Sequence, residues 1–129
     1  MFLAGAVFFW LIGFDIIYAL QDYEFDRKLG LHSLVVRWGP DNALKAAFLA
    51  HMLMFGLLAG FGLISRFRLA YFIGMAIVLT ALILEHWLAR KRSMKWIQVA
   101  FFRLNALISL VLVIVVATEI VFPPFRVTR

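Results

Sequence analysis

The sequence predicts an all-α integral membrane bundle of about four transmembrane helices, and three observations carry that prediction. The 129 residues are 65% hydrophobic with a mean hydropathy of +0.98, well above the roughly 45–50% apolar content of soluble domains. The apolar residues fall into four stretches, each near the ~20 residues a helix needs to cross the hydrocarbon. The breaks between these stretches are short and polar, as expected of loops at a membrane surface.

The predicted spans are 2–20, 42–64, 69–89 and 98–122, within a single transmembrane domain over 1–129. The first resembles the core of a signal peptide in its length. However, no basic residue precedes it, no small-x-small cleavage site follows it, and it runs directly into an acidic segment, so it reads as a span that stays. A polar break over 21–41 ends at Gly39 and Pro40, which mark the turn into the second span. The turn SRFR at 65–68 separates the second and third spans, and ARKRSMKW at 89–96 separates the third and fourth. Pro123 and Pro124 stop the last helix.

Four spans place the 21–41 and 89–96 breaks on one side of the membrane. That side carries Arg27, Lys28, Arg37, Lys45, Arg90, Lys91, Arg92 and Lys95, against Arg66, Arg68, Arg126 and Arg129 on the other. The excess of Lys and Arg assigns the first side to the cytoplasm. The expected location is the cell inner (plasma) membrane, multi-pass, with the acidic segment cytoplasmic and both chain ends outside. The net charge of +6 reflects residues at span ends that face anionic headgroups, so no nucleic acid is expected as a partner. With no cysteine, neither a disulfide nor a thiolate ligand is available.

Chemistry concentrates in FDIIYALQDYEFDRKLGLHS, residues 14–33, where Asp15, Asp22, Glu24 and Asp26 supply four of the seven acidic residues of the chain. On one continuous helix at about 100° per residue, Asp22 falls about 20° short of two turns from Asp15, and Asp26 about 20° past three. The three carboxylates then share a stripe, Tyr18 lies beside it, and Glu24 points elsewhere. Gly30 is placed to end this helix in a left-handed cap. Stacked like charges repel, and Arg27 and Lys28 leave the stripe by about 100° or more, so they are imperfect partners. A hard divalent cation fits better: magnesium takes one or two carboxylates, waters and phosphate oxygens, and would bridge a diphosphate to this acidic surface.

The string DIIYALQDYEFDRKLGLHS resembles the second aspartate-rich motif of the UbiA superfamily of membrane prenyltransferases: Asp, two residues, Tyr, three residues, Asp, three residues, Asp, then Gly and Ser. Asp15, Tyr18, Asp22, Asp26, Gly30 and Ser33 fill every fixed position. FFRLNALISL at 101–110 is similar to the final helix of the quinone-pathway members, with Asn105 at the polar position. The resemblance covers the whole chain and corresponds to the sixth to ninth helices of a nine-helix fold. It implies that Asp22 and Asp26 hold Mg2+ against the diphosphate of a polyprenyl donor, with Asp15 and Tyr18 as catalytic residues in the same cavity. Lys28, Ser33 and Asn105 are the implied substrate-binding residues. The implied acceptor is an aromatic acid such as 4-hydroxybenzoate, in ubiquinone or menaquinone biosynthesis.

The family's first aspartate-rich motif has no counterpart here, because outside 15–26 the acids are the scattered Asp41, Glu85 and Glu119. The chain is therefore expected to be a truncated or split product, or to need a partner chain as its N-terminal half, and to be inactive alone. Two other classes stay open. A CDP-alcohol phosphotransferase needs a DGxxAR string that is absent, and a small transporter or other non-enzymatic four-helix protein would carry its ionisable groups at mid-span. Among the remaining polar residues, His86 beside Glu85 could form a metal pair but reads first as interfacial. His51 is expected to make an interhelical hydrogen bond. Glu119 is expected at an interface, paired with water or Arg126. Arg103 and Asn105 point about 200° apart, and Asn105 is the better cavity contact. Trp10, Trp38, Trp87 and Trp96 read as interfacial anchors.

Overall fold

The computed structural model describes residues 1–91 and 98–122, with the backbone alone at 99–101. Arg92, Lys95, Trp96, Pro123, Pro124, Arg126 and Arg129, which figure in the predictions above, lie outside the described residues. Among the described residues every regular element is a helix: α1 (Phe2–Ala19), α2 (Tyr23–Lys28), α3 (Leu34–Trp38), α4 (Pro40–Ile64), α5 (Leu69–Ala89), a π-helical turn (Val99–Leu104) and α6 (Asn105–Val121). Four helices are long and apolar enough to cross a membrane: Phe2–Ala19, Pro40–Ile64, Leu69–Ala89 and Phe102–Val121. These match the predicted spans within a few residues. The second begins two residues early because Pro40, at the first helical position, loses no intrahelical donor.

The four long helices pack antiparallel in the pairs α1–α4, α4–α5 and α5–α6. Two positions show why the backbones approach closely. A Cβ at Gly13 of α1 would run into the His51 ring of α4, and a Cβ at Gly62 of α4 would run into the Tyr71 ring of α5. Tyr71 is fully buried and donates its hydroxyl to the Leu58 carbonyl at 2.9 Å. In lipid a buried phenol has no water to turn to, so this bond across α4–α5 both satisfies the hydroxyl and fixes the pair.

The apolar core has two parts. Ala6, Met54, Leu58, Tyr71, Val78, Leu82 and Ile108 pack together towards one end. Ile16, Ile17, Leu20, Val35, Ala43, Ala47 and Ala89 pack at the other, where α3 lies against α4. The α5–α6 pair is closed at the end away from Asn105 by Glu119, which is buried and accepts the Arg68 backbone N–H at 3.1 Å while Arg68 Nε lies at 3.5 Å. Glu119, expected near the end of its span, is there buried against the start of α5 rather than turned to water. Arg68 is the N-cap of α5, and a carboxylate there satisfies an orphan N–H and the positive end of the helix.

The acidic segment departs from the predicted single helix. After Ala19 the N–H groups of Gln21 and Asp22 bond back three residues, to Tyr18 (3.0 Å) and Ala19 (3.2 Å), before α2 starts. Such tighter turns advance about 120° per residue, so the 100° register does not run unbroken from Asp15 to Asp26. The break falls where polar Gln21 and Asp22 leave the apolar segment and carbonyls can turn to water. The α2 end is as predicted: Gly30 has φ 68, its N–H meets the Arg27 carbonyl (3.3 Å), and Leu31 N–H meets the Asp26 carbonyl (2.9 Å), a Schellman closure.

Arg66 makes the same closure after α4 with φ 53, a backbone region that costs a non-glycine residue about 1–2 kcal/mol. Two expected outcomes follow for unfolding in detergent micelles. Arg66→Gly raises stability by up to about 1 kcal/mol, the relief of that strain less the unfolded-chain entropy of glycine. Gly62→Ala lowers it by about 1–3 kcal/mol through overpacking against Tyr71. Chemical denaturation followed by circular dichroism measures both, and equal midpoints for Gly62→Ala and the parent chain would contradict the close α4–α5 contact.

Candidate functional site

The residues singled out by the sequence separate into two places. The first is the outer face of α1 and the short α2. Asp15 and Tyr18 project from the last turns of α1 and are exposed, as are Asp22 and Lys28, while Asp26 is half-buried. Asp22 and Asp26 sit one helical turn apart, joined by an Asp26 N–H to Asp22 carbonyl bond of 2.8 Å. Asp15, Asp22 and Asp26 take part in no ion pair among the described residues. Nor do these carboxylates converge into a three-ligand group there. Ser33 is the N-cap of α3, accepting the Val36 N–H at 3.4 Å, and its own hydroxyl proton stays free to donate.

One exposed and one half-buried carboxylate a turn apart, with no ion-pair partner among the described residues, suit a hard cation that keeps most of its hydration shell. Magnesium fits these donors. A fully buried nitrogen-rich set would not suit it.

The second place is inside the bundle, and the sequence reading passed over most of it. Glu85 and His86 are buried, at 0% and 7% exposure, and so is His51 at 0%. The expectation that Glu85 and His86 are interfacial is therefore corrected. The buried face of α5 runs Tyr71, Met75, Val78, Leu82, Glu85, Ala89 at helical spacing, so Glu85 continues an inward stripe. That spacing was a readable signal, but the adjacent basic run outweighed it. On α4 the same logic aligns Ala43, Ala47, Ala50, His51, Met54 and Leu58, and turns His51 inwards.

Asn105, at the first residue of α6, joins these groups. Its Oδ1 accepts the Trp10 indole N–H at 2.9 Å, and its Nδ2 donates to Glu85 Oε1 at 3.0 Å. Trp10 is thereby a half-buried donor between helices rather than an interfacial anchor. The other Glu85 oxygen, Oε2, lies 3.5 Å from His51 Nδ1. The His51 and His86 rings meet edge to face at 5.2 Å, and His86 Nδ1 lies 2.9 Å from the Leu82 carbonyl. His51 thus meets Glu85 of the neighbouring helix at ion-pair distance rather than through the interhelical hydrogen bond expected of it. Asn105 faces this network, and Arg103 is exposed.

Two concavities adjoin the network. A cleft of about 690 Å3 between α4 and α5 is lined by Asp41, Lys45, Phe48, His86, Trp87 and Arg90. A groove of about 380 Å3 between α1, α4 and α6 is almost wholly apolar, running from Trp10 past Met54 and Leu58 to Ile120.

The chain is 30% identical to the 4-hydroxybenzoate solanesyltransferase of Synechocystis sp. over 82 residues, 64% of this chain and 28% of that protein. It is 30% identical to the 4-hydroxybenzoate octaprenyltransferase of Tolumonas auensis over 93 residues, 72% of this chain and 32% of that protein. Against the enzyme of the same name from Haemophilus ducreyi it is 30% identical over 106 residues, covering 81% of this chain and 37% of that protein. The chain thus spans about a third of the length of the curated relatives it matches. No solved structure matches it. The profile of the UbiA prenyltransferase family matches residues 1–118, which take in the first three spanning helices, the acidic segment after the first and most of the fourth, and the chain belongs to that family.

Proposed function

We propose that this chain is the C-terminal part of a membrane polyprenyltransferase that moves a polyprenyl group from its diphosphate to an aromatic acceptor such as 4-hydroxybenzoate, in ubiquinone or menaquinone synthesis. The observation that carries this reading is the acidic motif Asp15, Tyr18, Asp22, Asp26 on an uncovered face of α1 and α2, in a chain whose relatives are named for that transfer. A carboxylate on the outer face of a spanning helix costs up to about 2.5–3.5 kcal/mol in hydrocarbon. Asp15 therefore faces a polar chamber, closed by a segment that brings the first aspartate-rich motif. This sequence carries one such motif, so the 129 residues alone are inactive and need that N-terminal half, in the same chain or another.

In this arrangement Asp22 and Asp26 hold Mg2+, which when bound neutralises the charge growing on the diphosphate leaving group. Lys28 and the Ser33 hydroxyl, just beyond α2, bind the same diphosphate by charge and hydrogen bonding. Tyr18 presents its phenol next to Asp15, where the allylic centre loses diphosphate and the acceptor ring attacks. The apolar groove along Trp10, Met54 and Leu58 offers a surface suited to an isoprenoid chain. A direct contact of Asn105 with substrate would require its amide to leave Trp10 and Glu85. The motif faces the cytoplasm and the bundle lies in the inner membrane, in line with the Lys and Arg excess at that end.

The test is prenyl transfer in membranes containing this chain joined to, or co-expressed with, a segment that bears the first motif, with labelled polyprenyl diphosphate and 4-hydroxybenzoate. Magnesium-dependent product is expected, and Asp22→Ala or Asp26→Ala each lower kcat/KM by at least about a hundredfold. Unchanged turnover in both variants would remove these carboxylates from the reaction.

A further inference from the structure

We infer that His51, Glu85 and His86 form a second metal site inside the bundle, a set of two imidazoles and one carboxylate for a zinc-like divalent cation, separate from the acidic magnesium motif. Each of the three residues offers one ligand atom, and the three atoms lie within 4.8 Å of one another on two adjacent helices. Zinc bonds of about 2.0–2.1 Å in tetrahedral array put neighbouring ligand atoms about 3.4 Å apart. His51 Nδ1 and Glu85 Oε2 already stand at 3.5 Å. Small rotations of the rings close the rest.

The protonation pattern favours a cation over a self-contained hydrogen-bond network. A carbonyl can only accept, so His86 Nδ1, 2.9 Å from the Leu82 carbonyl, carries the proton and Nε2 holds a bare lone pair. That Nε2, Glu85 Oε2 and His51 Nδ1 are buried without a hydrogen-bond partner. The backbone of Trp10 also bears on the His51 ring. Leaving such groups unmet costs about 1–3 kcal/mol each, whereas one cation engages all three ligand atoms. The surrounding bonds are those that orient metal ligands: Leu82 fixes His86, and Asn105, itself held by Trp10, fixes Glu85.

Ligand chemistry selects the ion class. Nitrogen donors walled off from water suit zinc, while magnesium demands oxygen ligands and retained waters. Three protein ligands leave a fourth position open. His86 also lines the cleft that holds Asp41, Lys45 and Arg90, which provides a path from the membrane surface for the ion and for a water or small anion as fourth ligand. The inference stands whether or not the acidic motif acts in prenyl transfer.

The experiment is zinc stoichiometry on the full 129-residue chain, free of any tag, purified in detergent and equilibrated with zinc in the presence of excess magnesium. About one zinc per chain is expected, and cobalt in its place gives the intense visible bands of a tetrahedral site. His51→Gln, Glu85→Gln and His86→Gln each lower occupancy at least tenfold, with unchanged helical circular dichroism. The double variant Asp22→Asn, Asp26→Asn and the variant His32→Gln retain it. Asn105→Ala keeps all three ligands yet weakens zinc about tenfold to a hundredfold, and so tests the site even if a ligand variant misfolds. No zinc retained by the folded parent chain, as when water alone fills the space, overturns the inference. So does zinc that is lost with the aspartates and kept by His86→Gln.

Discussion

The constraint behind the rest of this structure is that a chain dissolved in lipid must meet its polar groups from within. Hydrocarbon offers no hydrogen bonds, so a polar side chain inside a span either finds a partner on a neighbouring helix or destabilises the span. Here the partners converge. Trp10 on α1, His51 on α4, Glu85 and His86 on α5, and Asn105 at the start of α6 bring all four long helices to one locus. Apolar packing alone is weakly directional between lipid-embedded helices, because the lipid tails compete on nearly equal terms. Polar bonds with defined donors and acceptors have no such competitor, and they choose one rotation and one register for each helix. Gly13 serves the same end, since only a bare backbone lets the His51 ring fill the space beside α1.

The fold was legible in the sequence, and the reason is physical. Span length and hydropathy are set by the bilayer rather than by tertiary packing, so the four predicted spans and the Gly30 cap are found where they are expected. Sequence reasoning falters where position along the helix is used without position around it. Nearness to a basic run suggests an interface for Glu85 and His86, although their phase with Val78 and Leu82 turns them inwards. Proximity in sequence suggests Arg126 as a partner for Glu119, and among the described residues Glu119 also meets Arg68, at the far end of the preceding span, which sequence distance hides. In the acidic segment the error is of the opposite kind. A helical phase carried through Gln21 and Asp22 fails because a tighter turn resets it there.

The two polar centres of the chain differ in a way that matters for chemistry. At the α1–α2 junction Asp15 and Asp22 are exposed and Asp26 is half-buried, an open arrangement that would suit reversible capture of a charged group. The histidine and glutamate cluster is enclosed and held by its own supporting bonds, which suits a group that stays in place. The first depends on what covers α1. The second draws all three of its side chains from two neighbouring helices of this chain.

The pairing of α6 with α5 has a mechanical consequence. One end of α6 is tied by Asn105 to Glu85, and the other by Glu119 to Arg68. Fourteen residues, about 21 Å of helix, separate the two ties. A rod fastened at both ends cannot slide like a piston or swivel about its own axis. The slot that α6 forms with α1 and α4 therefore widens by movement of α1 or α4 against a fixed α6, and α1 is also the element that carries Asp15 and Tyr18. Any long apolar occupant that wedges into this slot would push directly on the stave that bears those two side chains, so tail length could be felt at the polar end.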